Sequence, residues 1–147
     1  MSRAAGLVRG ARGVRDFPGM SPDAGDFATR LTRAMRDRAA ADGCLPAEAR
    51  LLEVDGVRGW LYPVASAHGD RYQLFLYFDG SAYQVKVVEP DVESRADPHA
   101  CHLFPSGLIC FGVEAGGGMP TLEAAYAKSV LWANGFSVYQ RTGRFPF

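Results

Sequence analysis

Apolar residues recur along this chain in two rhythms, one helical and one extended. Phe27, Leu31, Met35 and Ala39 return at every fourth position, which places them on one face of a helix and predicts that this face meets the core. Ser21-Pro22 is expected to open that helix as N-cap and first helical residue. Gly43 is expected to end it. Arg30, Arg33, Arg36 and Arg38 take the remaining surface, as a solvated face or as a contact for an acidic partner.

The rhythm then changes. Leu51–Val54 and Val57–Val64 are short apolar runs separated by Asp55-Gly56, and Arg71–Phe78 and Ala82–Val88 are separated by Asp79-Gly80-Ser81. Asp-Gly between such runs signals a hairpin. Tyr72, Leu74, Leu76 and Phe78 alternate onto one side of their strand, as suits a sheet covered by a helix. The expectation is an antiparallel meander of four strands.

From Glu89 to Pro98 the chain is polar, with proline at both ends; a long loop inside a compact domain is usually functional. Gly116-Gly117-Gly118 reads as a flexible stretch. A last helix is expected to start at Thr121, with Glu123 in its first turn and a buried stripe of Leu122, Tyr126, Ser129, Val130 and Ala133, widened by Trp132 and Phe136. The order helix, meander, loop, helix makes the class α+β.

Bulk properties narrow the function. A chain of 147 residues, 48% hydrophobic, is expected to form one domain with a real core. A formal net charge of zero argues against nucleic acid or an anionic membrane as the main partner. Arg3, Arg9, Arg12 and Arg15 stand in a stretch without acidic residues, which predicts a flexible basic tail over residues 1–19 and a folded domain over 20–147. No run approaches the roughly 20 apolar residues of a membrane span. Three cysteines at irregular spacing (Cys44, Cys101, Cys110) are no disulfide framework and suggest a reducing, cytoplasmic setting.

The candidate chemistry lies in Cys101-His102-Leu103-Phe104-Pro105-Ser106-Gly107-Leu108-Ile109-Cys110-Phe111-Gly112. Cys110 follows a short apolar strand and precedes a glycine-containing loop, where a thiol is held rigidly and still meets a partner. From spacing alone three other readings stand beside a nucleophile. Cys110 is a small core residue; or His99, Cys101, His102 and Cys110 hold zinc, although their spacing matches no zinc-finger pattern; or His102 is the base of a Cys-His hydrolase, although no orienting Asn or Asp lies nearby.

The order of elements and the run Gly107-Leu108-Ile109-Cys110 resemble a ubiquitin-conjugating (E2) domain, from about Ser21 to Trp132. The resemblance implies that Cys110 accepts a ubiquitin-like C-terminus as a thioester and passes it to an amine. Where the family has His-Pro-Asn, this chain reads Ala100-Cys101-His102. His102 therefore stands in for the Asn amide, as donor to a developing oxyanion or as base toward the attacking amine. Glu114 is read as a solvated loop carboxylate, or else as a group that lowers the charge cost of a lysine nucleophile. The Pro-rich stretch after the third strand is missing and a single long helix follows the cysteine. These departures resemble the bacterial E2-like branch, in which a His-x-aromatic-x-x-Gly-x-x-Cys segment precedes one Trp- and Tyr-rich helix and a closing motif, here Tyr139 to Pro146. That branch implies a role in antiphage cyclic-oligonucleotide signalling (CBASS) operons, where the carried group is the C-terminal glycine of a cGAS-like nucleotidyltransferase. It implies no cofactor and no metal. With no Gly-rich nucleotide-binding turn in the chain, activation is expected from a separate enzyme, or from a partner that dispenses with it. The alternative is a non-catalytic E2-like binding module in which Cys110 is merely packed.

Overall fold

The computed structural model of the protein describes residues 26–92, 96–112 and 117–147. The expected Ser21-Pro22 helix start, the 1–19 tail and Glu114 lie outside the described residues.

Helix α1, Phe27–Cys44, has Asp26 as its N-cap, the carboxylate accepting from the Thr29 amide at 2.8 Å. It runs past Gly43 and stops at Leu45, which is extended (φ −74°, ψ 155°). Pro46 follows, and a proline disfavours helical geometry in the residue before it. Helix α1 also turns the other way from the expected one. Its buried residues are Asp37 and Ala41, with Ala40 and Cys44 packed against the core. Phe27, Leu31 and Met35 are 73%, 48% and 66% exposed, and Ala39 is exposed with them. Small side chains on the inner face let the backbone come close, and a carboxylate there finds a hydroxyl partner; the larger apolar stripe is left outside.

Strands β1 (Arg50–Val54), β2 (Val57–Ala65), β3 (Arg71–Phe78) and β4 (Tyr83–Glu89) form one antiparallel sheet in the order β1-β2-β3-β4. Asp55 (φ 52°) and Gly56 (φ 81°) are both left-handed, the two-residue turn whose twist matches the strands it joins. In the β3–β4 turn the Asp79 carboxylate accepts from the Ser81 and Ala82 amides, both at 2.8 Å.

Helix α2, Leu122–Thr142, starts as expected, with the Thr121 hydroxyl accepting from the Ala124 amide and Glu123 in the first turn. It ends at Gly143, left-handed at φ 76°. Leu122, Ala125, Ser129, Trp132, Ala133, Phe136 and Ser137 are buried, and Tyr126 and Val130 are half-buried. This helix and Tyr72, Leu74 and Leu76 of β3 belong to one core cluster. Two polar pins cross that core: Tyr62 OH to Ser129 Oγ at 2.8 Å, and Tyr72 OH to Ser137 Oγ at 2.7 Å. The opposite side of the sheet is also closed. Phe75 and Tyr77 are stacked there and buried with Val54, Val57 and Leu108. The architecture is thus α+β, an N-terminal helix, a four-stranded antiparallel meander and one long C-terminal helix. Among the described residues no helix is long and apolar enough to cross a membrane.

Candidate active site

The cysteine segment runs beside β4 as an improvised fifth strand. The Val87 amide donates to Gly107 O at 3.0 Å, and the Ile109 amide donates to Val85 O at 2.9 Å. Further along, Tyr83 and Met119 exchange both backbone bonds, at 2.8 and 2.9 Å. The segment also folds on itself. Phe104 N donates to Leu108 O, Cys110 N donates to His102 O, both at 2.8 Å, and Leu103 faces Ile109 between those bonds. Leu103 and Ile109 are buried in the main core. That buried pair anchors the miniature hairpin, and His102 and Cys110 are its next opposed pair. Cys110 is half-buried, its Sγ 3.8 Å from Gly112 O.

Gly117 and Gly118 are packed closely against their neighbours. Gly117 has φ +86°, and a Cβ on it would lie 2.7 Å from the Phe104 ring; a Cβ on Gly118 would lie 2.7 Å from Ala82. Gly117 O accepts from the Phe111 amide. Both described glycines of the expected flexible stretch are therefore sites of close packing, where a side chain would push the loop off β4.

His102 is exposed and holds a left-handed backbone, φ 52°. That conformation is uncommon for a residue with a Cβ and worth a functional question. Its imidazole reaches the chain's last residues. Nε2 lies 3.0 Å from the main-chain oxygen of Phe147, and the ring meets Phe145 edge-on at 5.1 Å between centroids. A main-chain oxygen only accepts, so Nε2 carries the proton and donates it. In the neutral ring Nδ1 is then the nitrogen with a free lone pair.

The remaining candidates fall elsewhere. Cys101 is fully buried, and its carbonyl accepts from Trp132 Nε1 at 2.8 Å. Burial pushes its thiol up, against a smaller pull down from the Tyr139 hydroxyl. The Cys44 thiol is pushed up as well, by burial and then by the Glu123 charge. His99 is exposed on the turn before Cys101. The four residues of the zinc reading do not converge, and among the described residues no group of three or more such side chains is placed to hold a metal. Arg33 of the expected solvated face is partly buried, its guanidinium 4.3 Å from the centre of the Phe78 ring. A groove of roughly 670 Å³ lies between α1 and the β1–β2 hairpin, lined by Met35, Arg38, Trp60 and Phe78 among others, and shares no residue with the cysteine loop.

The two residues singled out in sequence, Cys110 and His102, are thus joined through their backbones, while the imidazole turns to Phe145 and Phe147. Sequence reasoning missed the partners of His102, because Phe145 and Phe147 lie more than forty positions away. One usable signal was Gly135, a glycine inside a helical pattern, which asks for a packing reason.

Comparison of the chain with protein-family models finds no match, and comparison with curated proteins and with solved structures finds none either.

Proposed function

We propose that this chain is an E2-like conjugating enzyme that carries the C-terminal glycine of a cGAS-like nucleotidyltransferase, or of a ubiquitin-like protein, as a thioester on Cys110 and transfers it to an amine. One observation carries the reading. Cys110 is a half-exposed thiol on a segment that is hydrogen-bonded to β4, and its opposed residue is a histidine. A carrier needs a sulfur that is fixed in space and reachable by two successive substrates, and His102, joined to Cys110 by a backbone hydrogen bond, is the candidate to move protons. Cys44 and Cys101, whose thiols burial pushes up, are poorer carriers.

The chemistry has two halves. Cys110, as thiolate, attacks the activated acyl carbon delivered by a separate activating enzyme; the C–S bond forms and the activating group leaves with its electron pair. An amine then attacks the same carbon, C–N forms, C–S breaks, and the electron pair returns to Sγ. The amine's surplus proton passes to Nδ1 of His102 and from there to solvent. With its Nε2–H given to Phe147, neutral His102 suits the role of proton acceptor better than that of oxyanion donor. An antiphage role in the bacterial cytoplasm belongs to the same reading and rests on the sequence resemblance.

The test is direct. Purified chain, activating enzyme and candidate acyl donor are incubated and run on reducing and non-reducing gels. Wild type should give a thiol-labile adduct, Cys110→Ser a thiol-resistant oxyester, and Cys110→Ala no adduct. Identical products from wild type and Cys110→Ala would refute the carrier role and leave a binding module.

A further inference from the structure

Beyond the end of α2 the chain doubles back, and the place where it lands is built for it. Gly143 makes the left-handed reversal, and the Thr142 hydroxyl accepts from the Arg144 amide at 3.2 Å. Phe145 then seats against α2 at Gly135. A Cβ on that buried residue would lie 2.6 Å from the Phe145 ring and 3.0 Å from the Phe147 ring. Glycine is a poor choice within a helix; here it makes room for two aromatic rings. The rings touch each other edge-on at 5.9 Å, and from this seat Phe147 O reaches His102 Nε2 at 3.0 Å.

We infer that residues 145–147 form a strap that positions His102, holding its imidazole with Nε2–H engaged and leaving Nδ1 as the nitrogen that can take a proton. This deepens the proposed function and rests on it. The strap supplies what the cysteine segment lacks, a third group that orients the histidine. The orienting acceptor is a main-chain oxygen, so no side chain at a fixed spacing announces it. Phe145 and Phe147 touch no reacting atom in this scheme; they act through His102.

Gly135→Ala separates a positioning role from a folding role, because alanine is the better helix former and only the seat is lost. The experiment compares wild type, Gly135→Ala, Phe145→Ala, Phe145→Tyr and a chain lacking residues 145–147. Two readouts are taken. The first is the His102 ring in proton–nitrogen NMR, which needs no substrate. Wild type and Phe145→Tyr should show one slowly exchanging Nε2–H; the other three should lose it and show mobile remaining tail residues. The second is single-turnover discharge of a preformed Cys110 thioester to a free amine. Discharge should fall about 10- to 100-fold in those three variants, the scale expected when a catalytic group is misplaced by about an ångström, and Phe145→Tyr should stay near wild type. Unchanged His102 signals in the shortened chain, or unchanged discharge in Gly135→Ala, would overturn the strap. A seated strap on a chain that never forms a thioester would instead refute the proposed function and leave the His102–Phe147 contact standing.

Discussion

Helix α2 meets the sheet through Trp132 and Phe136, stacked at 5.0 Å and packed edge-on against Tyr72, with two serine–tyrosine pins beside them. Helix α1 is held by other means. Its inner face is Asp37, Ala40, Ala41 and Cys44, it is fastened by Asp37 to the Tyr83 hydroxyl and by Arg33 over Phe78, and its large apolar residues look outward. One helix is therefore part of the core, while the other is clipped to it by polar groups and small residues. The lesson is energetic: burial of aromatic area and a buried ionisable pair answer differently to mutation and to pH.

The sharpest break is Phe136→Ala. Removing a fully buried ring that touches Tyr72, Trp132 and Tyr139 should cost about 3–5 kcal/mol in denaturant unfolding. A loss below about 1 kcal/mol would mean that α2 is not the main packing element.

A smaller, pH-dependent effect belongs to α1. Burial holds the Asp37 carboxyl above the usual range, against smaller opposite pulls from the Tyr83 hydroxyl, Arg33 and Arg36. A carboxyl whose folded pKa is raised binds its proton more tightly in the folded state than in the unfolded one. Stability is then lost as pH rises from the ordinary carboxylate range through the raised folded value. Asp26, Asp70 and Asp79 are lowered and work in the opposite sense, favouring the fold above that range. Wild type should therefore lose stability relative to Asp37→Asn as pH climbs through that window. Parallel stability curves for the two chains would show that Asp37 is not the titrating clip.

The smallest effect sharpens the contrast from outside. Leu31→Ser with Met35→Ser changes two exposed apolar residues and should shift stability by no more than about 0.5 kcal/mol per site. A large loss would place the apolar stripe inside the fold after all.

That last substitution marks the limit of what periodicity tells. A four-residue repeat shows which residues share a helical face; it does not show whether the sheet lies on that face. In α2 the aromatic face and the buried face coincide, so Leu122, Trp132 and Phe136 were legible. In α1 the buried face is alanine, cysteine and aspartate, a pattern with no hydrophobic signature. The hairpin at Asp55-Gly56 was legible because left-handed backbone selects its residues locally. Gly117 and Gly118 were read as flexible because what excludes a side chain there is Phe104 and Ala82, groups brought near only by the fold. Cys110 and His102 were legible as a pair, since seven intervening residues suffice for a miniature hairpin. The strap on His102 was not, because its acceptor is backbone.

The pairing of the cysteine segment with β4 has a consequence for solubility. A sheet has two borders, and each is a template for another chain. On β1 the border carries the exposed charges of Arg50 and Glu53, which discourage a neighbour from adding. On β4 residues 107–109 and Met119 occupy the ladder themselves. The loop that presents the thiol is thus also the guard of an otherwise adhesive strand, and a chain whose loop opened to free Cys110 would be prone to self-association.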